Sequence, residues 1–158
     1  MGSGKTSVAR DLCKKTGLPY LDTDAVLEDL EGQSIADIFN DQGEAYFRHS
    51  ESRLCETLLT VPPSVISTGG GIILSETNRA ILPQLGTVVF LDASVETLSL
   101  RLKEDTSRPL LNTPHLCETL RSLLTQRRSL YEKTASLIIT TDTKTTPQIA
   151  QEILDRIY

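Results

Sequence analysis

Residues Gly2-Ser3-Gly4-Lys5-Thr6 place two glycines, a lysine and a hydroxyl in the spacing of the second half of a phosphate-binding loop, G-x-x-x-x-G-K-[ST]. Glycines let backbone N–H groups curl around an anion, and the helix that follows points its positive end at the same spot. In such a loop Lys5 reaches the β- and γ-phosphates of a nucleotide and the Thr6 hydroxyl holds Mg2+. Two more groups suit the same chemistry. Asp22 and Asp24 flank Thr23 at the end of an expected strand. Residues two apart share a side in extended backbone, so both carboxylates face one place. One can serve the metal through water; the other can bind a substrate hydroxyl and receive its proton. The plainer alternative makes Asp24 the N-cap of the next helix. Thr68-Gly69-Gly70-Gly71 follows a second expected strand. Three glycines together cost conformational entropy, and close approach of backbone to a ligand is the usual reason to keep them; a loose turn is the alternative.

Guanidinium groups for binding anions are expected at Arg48, Arg101, Arg108 and Arg127, because the planar fork pairs bidentately with carboxylate and phosphate; taken singly, a solvated surface charge is the alternative for each. Arg10, Arg53, Arg79, Arg121, Arg128 and Arg156 read as solvated surface charges. His49 and His115 lack metal-ligand spacing. Cys13, Cys55 and Cys117 are far apart with no C-x-x-C; Cys13 and Cys55 fall on apolar helical positions and read as small core residues, which fits a reducing cytosol. The net charge of −5 argues against a general nucleic-acid binder, so any anion site must come from a few locally gathered cations. No apolar run approaches a membrane span and no signal-peptide pattern is present. Met1-Gly2-x-x-x-Thr6 also matches the N-myristoylation pattern, but the phosphate loop explains these residues better.

The elements that must position these groups follow from periodicity and breakers. Helices are expected over Ser7–Lys15, Ala25–Leu30, Ile35–Asp41 behind a Ser34 cap, Glu44–Leu59, Glu76–Leu82, Val95–Leu102, Leu116–Tyr131 and Pro147–Ile157. Phe47, Leu54 and Leu58 mark the inner side of the long helix. Strands are expected over Leu18–Leu21, Val65–Ser67, Thr87–Leu91 and Leu137–Thr140. Lys103–His115 carries charges, two prolines and no clear period, and reads as a loop. Strands alternating with helices over 158 residues predict one α/β domain with a parallel sheet and right-handed crossovers.

The chain resembles the shikimate kinases over its whole length. The resemblance rests on Gly2-Ser3-Gly4-Lys5-Thr6, Leu21-Asp22-Thr23-Asp24, Ser34-Ile35-Ala36-Asp37-Ile38-Phe39, Gly43-Glu44-x-x-Phe47-Arg48, Thr68-Gly69-Gly70-Gly71, Arg108-Pro109-Leu110-Leu111 and Arg127-x-x-x-Tyr131, in that order and at those intervals. It implies a three-layer P-loop kinase fold with a parallel sheet of order 2-3-1-4-5. It implies transfer of a phosphoryl group from ATP to shikimate, giving shikimate 3-phosphate on the route to chorismate and the aromatic amino acids. The implied enzyme is a cytoplasmic monomer that needs Mg2+ and contacts neither nucleic acid nor membrane.

The resemblance also implies roles. Gly2, Ser3, Gly4, Lys5, Thr6 and Ser7 wrap the phosphates, and Thr6 and Asp22 serve Mg2+. Asp24 is the base and binds shikimate hydroxyls, with Lys5 and Arg108 acting on the transferred group. Arg48 and Arg127 clamp the shikimate carboxylate. Gly69, Gly70 and Gly71 bring backbone N–H groups to substrate and γ-phosphate. Arg101, with the Asp142–Pro147 turn, flanks adenine. A lid spans about 103–115 and a shikimate-binding helical insert about 24–60 of a single domain, 1–158.

One part of the family pattern is missing. The strand and Gly-x-x that precede Gly2 in the family are not in this chain. That strand is the first in sequence and the centre of the implied sheet. Its absence removes ladder bonds on both sides, on the order of 5–10 kcal/mol at about 0.5–1.5 kcal/mol each, against a domain stability of about 5–15 kcal/mol. The expectation is therefore a protein whose true start lies upstream, with Met1 internal to the loop. Two other readings remain: a non-catalytic P-loop remnant, and a related kinase with a different small acid as substrate.

Overall fold

The computed structural model describes residues 2–103 and 115–158. The expected lid, and Arg108 with it, lies outside the described residues apart from its two ends. In chain order the elements are α1 (Lys5–Thr16), β1 (Tyr20–Asp22), α2 (Thr23–Glu31), α3 (Ile35–Asp41), α4 (Gly43–Leu58), β2 (Val65–Ser67), a 3-10 turn (Ile72–Leu74), α5 (Glu76–Leu85), β3 (Val89–Asp92), α6 (Val95–Lys103), α7 (Leu116–Thr134), β4 (Leu137–Thr140) and α8 (Thr146–Ile157).

Most boundaries follow the local chemistry. Ser34 caps α3 by accepting from the Asp37 N–H at 3.2 Å. Thr145 and Gln148 form a capping box at α8. Gly17 and Gly32 end α1 and α2 in left-handed backbone. Several boundaries differ from the sequence expectation by one to three residues, and three departures have a clear local cause. The first strand is Tyr20–Asp22, because Pro19 has no N–H to give a ladder and contributes its carbonyl to Val65 instead. The cap of α2 is Asp22, which accepts from the Asp24 N–H at 3.1 Å, so Asp24 is not the cap and stands in the first turn. Helix α5 runs past Pro83 to Leu85, since a proline in a last turn removes little of the hydrogen-bond ladder. The 3-10 turn after the three glycines has no periodic signal and was not expected.

The strands form two parallel pairs. β1 pairs with β2, Tyr20 opposite Val65 and Asp22 opposite Ser67. β3 pairs with β4, Val89 opposite Leu137 and Asp92 opposite Thr140. The pairs are not joined to one another among the described residues. They are the outer strands of the expected order with its centre open. Cavities of about 250 and 290 Å³ lie between them on the two faces, and both are bordered by Ile66, Val89 and Leu91.

Alternation along β3 fixes the layers. Leu91 points to one face, where it packs with Val8 of α1, Ile139, and Ile149 and Ile153 of α8. Phe90 points to the other, where its ring stacks on Tyr131 of α7 with centroids 4.9 Å apart. A separate core joins Leu27, Ile38, Phe47, Leu54 and Leu58, and so ties α2, α3 and α4 into one unit beside β1. Each such side chain stabilises its unit by about 1.5–3 kcal/mol on burial. Within each pair the strands run the same way, so Asp22 and Ser67 end side by side at the carboxyl edge of one pair and Asp92 at the carboxyl edge of the other, the kind of edge where open α/β sheets bind their ligands.

Candidate active site

The loop before α1 is set by two glycines in left-handed backbone, Gly2 at φ 70° and Gly4 at φ 85°. Gly2 is also crowded, because a methyl there would come within 3.1 Å of Leu102 Cγ and 3.3 Å of the Leu98 carbonyl. Gly4 stands at the N-cap of α1 and offers no side-chain cap to the first turn. The amides of that turn and the positive helix end therefore face outward at Lys5 and Thr6, the first two helical residues. Arg101 of α6 holds this loop to the end of β4. Its guanidinium donates to the Thr141 carbonyl at 2.8 Å, the Thr141 hydroxyl at 3.2 Å and the Gly2 carbonyl at 3.4 Å.

At the end of β1 the Asp22 carboxylate is held from two sides. One oxygen accepts from the Asp24 N–H, and the other from the Tyr20 hydroxyl at 2.8 Å. Burial pushes the Tyr20 hydroxyl's pKa up, helped by the hydrogen bond and charge of Asp22 and opposed by the nearby hydroxyls of Thr6 and Ser67. Thr6 and Asp22 are thus gathered around one phenol. Both present hard oxygen donors, the set that suits Mg2+.

The acceptor side is built from α2, α4, α7 and the glycine run. Asp24 lies against Gly69; a methyl on Gly69 would come within 2.8 Å of Asp24 Oδ1. Arg48 lies against Gly71 still more tightly, and a methyl there would overlap its guanidinium. Arg48 donates to Glu44 from Nε and Nη2 at 3.2 Å and to Glu51 from Nη1 at 2.9 Å, with its guanidinium carbon 5.1 Å from the Phe47 ring centroid. Glu51 is 1% exposed, and its second oxygen has no partner among the described residues. Burial raises its pKa, opposed by the hydrogen bond and charge of Arg48. Arg127, in contrast, has no carboxylate partner among the described residues.

These groups meet in one cavity of about 540 Å³, bordered by Lys5, Thr6, Asp24, Arg48, Gly70 and Arg127. Gly2, Gly4, Ser7, Asp22, Gly69 and Gly71 line it too, whereas Ser3 faces the smaller cavity between the strand pairs. Across its floor the Tyr131 hydroxyl donates to the Gly70 carbonyl at 2.6 Å.

The family model for shikimate kinase matches residues 1–158. The chain belongs to the shikimate kinase family. Shikimate kinases are phosphotransferases that use ATP to phosphorylate shikimate in aromatic amino acid biosynthesis. The shikimate kinase of Sulfurihydrogenibium sp. is 40% identical over 157 residues, covering 99% of this chain and 93% of that protein. That of Ruegeria pomeroyi is 41% identical over 157 residues, covering 99% of this chain and 78% of that protein. Among solved structures, the Acinetobacter baumannii shikimate kinase in complex with shikimate superposes with a TM-score of 0.92 at 38% identity, covering 99% of this chain and 88% of the other. The Aquifex aeolicus enzyme superposes at 0.84 with 34% identity, covering 99% and 91%.

Sequence reasoning passed over three residues that position the site rather than line up as motifs. Glu51 reads as one more charge on an amphipathic helix. Tyr20 reads as a strand residue. Arg128 reads as a surface charge but donates twice to Asp92, at 3.1 and 2.6 Å, and so anchors α7 to the end of β3.

Proposed function

We propose that this chain moves the γ-phosphoryl group of ATP onto the 3-hydroxyl of shikimate, as a cytoplasmic monomer whose residues 24–60 form the acceptor-binding insert. The observation that carries this reading is the single cavity into which the α1 loop, Asp24, the three glycines and two arginines open together. Phosphoryl transfer needs alignment and charge neutralisation more than covalent chemistry, and a site of amides, a lysine and guanidinium groups supplies both.

The loop amides and Lys5 bind the phosphates. Arg127, open to an external anion, takes the acceptor carboxylate together with Arg48, whose guanidinium Glu51 holds in place. Asp24 accepts the proton of the attacking hydroxyl, and its position against Gly69 sets that hydroxyl beside the glycine amides. Thr6 and Asp22 would hold Mg2+, which when bound neutralises charge on the β- and γ-phosphates. Arg101 and the Asp142–Pro147 turn flank the adenine. There, hydrogen bonds from Thr97 and from the Ser94 side chain and backbone hold the Asp142 carboxyl down at about 2.

A panel of hydroxy acids incubated with ATP, with products read by phosphorus NMR, tests the reading. Shikimate 3-phosphate as the main product is expected. A phosphorylated product from another acid, with shikimate untouched, would move the chain to the related-kinase reading. No ADP release with any acid would favour the non-catalytic remnant.

A further inference from the structure

We propose that Tyr131 is a positioning residue for the transfer step: its hydroxyl clamps the Gly70 carbonyl and so aims the Gly71 N–H of the same peptide at the acceptor. The proposal rests on the reading that Gly69–Gly71 faces the acceptor.

The argument starts from the peptide plane. In a trans peptide the carbonyl of one residue and the N–H of the next point to opposite sides, so fixing one fixes the other. The plane between Gly70 and Gly71 has no Cβ at either end, and nothing in the local sterics resists its rotation. The carbonyls on either side are held within the loop. Gly69 accepts from the Ile72 N–H at 3.3 Å and Gly71 from the Leu74 N–H at 3.0 Å. The Gly70 carbonyl is held from outside the loop, by a side chain 61 residues away in sequence, at 2.6 Å.

That side chain is itself well fixed. Its ring stacks on Phe90 at 4.9 Å and 19°. The two-fold contact between Arg128 and Asp92 pins the same helix three residues earlier. Arg127, one turn before Tyr131 on α7, borders the same cavity. One helix therefore carries both a guanidinium for the acceptor carboxylate and the hydroxyl that sets the glycine plane. A shift of α7 moves the two together.

Tyr131→Phe tests this, because it keeps the ring and removes the O–H. The KM for shikimate should rise about three- to tenfold, the range expected for one lost hydrogen bond, while the KM for ATP stays within about twofold. The melting temperature should fall by no more than about 4 °C. Phe90→Leu is the packing control: it removes the stack, leaves the hydroxyl, and should lower the melting temperature without a selective change in shikimate KM. In protein labelled with 15N-glycine, Tyr131→Phe should displace the Gly71 amide signal and leave Gly17 and Gly86 in place. A Tyr131→Phe enzyme with unchanged shikimate KM, or equal KM changes in the two variants, would overturn the proposal. So would an unmoved Gly71 signal, which reads the clamp whether or not shikimate is the acceptor. Absence of shikimate-dependent turnover in the unaltered protein would instead sink the functional reading.

Discussion

The guanidinium of Arg48 rests on the Cα of Gly71 so closely that not even a methyl group fits between them. Gly71 has φ −89° and ψ −6°, a conformation open to any residue. An alanine there carries no backbone strain, and its whole effect falls on Arg48. We expect Gly71→Ala to raise the KM for shikimate at least tenfold, roughly the effect of about 1.4 kcal/mol, with nucleotide affinity unchanged. Titration calorimetry with each ligand alone checks this. Equal loss of both affinities would mean that the contact serves the loop and not the acceptor.

Arg127 borders the cavity with no carboxylate partner among the described residues, which leaves its fork for the substrate. Arg127→Ala should therefore raise the KM for shikimate and leave that for ATP. Steady-state kinetics with each substrate varied in turn decides. A change confined to ATP would refute the carboxylate assignment.

How much of this was legible in the sequence depends on whether a residue's role is local. The phosphate loop, the Asp22–Asp24 pair and the glycine run are short motifs whose spacing suggests their chemistry, and type and order sufficed to single out residues that border one cavity. Arg127 and Arg128 show the limit. They are neighbours of identical type, yet one borders the cavity and the other grips Asp92. Only the phase of α7 against β3 separates them, and that phase is a tertiary fact. The Tyr131–Gly70 and Arg48–Gly71 contacts join segments far apart in sequence. The open centre between the strand pairs, by contrast, was expected from the missing piece of motif alone.

Glu51 gives a pH signature. Its folded-state pKa lies above the unfolded value near 4.5 because of burial. Below that value both states hold the proton. As pH rises through the window up to the folded pKa, the unfolded chain releases its proton first, so this group's contribution to stability falls. The melting temperature of the unaltered protein, measured relative to Glu51→Gln, should decline across that window and then level off. A difference that grows with pH would show that the Arg48 charge outweighs burial.

The facing edges of β2 and β3 make a separate prediction. Val65 donates to Pro19, and Asp92 accepts from Thr141, so these groups point away from the gap. By alternation Ile66, Val89 and Leu91 turn their amides into it. Their hydrogen exchange should be at least about tenfold faster than that of Val65 and Thr141. Equal protection, read by NMR, would mean that a further strand closes the sheet.

The central claim is that one cavity unites a nucleotide loop with an acceptor site for shikimate. A coupled assay of ADP release, with and without shikimate, tests it most directly, with Asp24→Asn measured alongside. ADP release should depend on shikimate, and Asp24→Asn should slow it by roughly 10²–10⁴-fold. ADP release that ignores shikimate, or near-normal turnover by Asp24→Asn, would contradict the account.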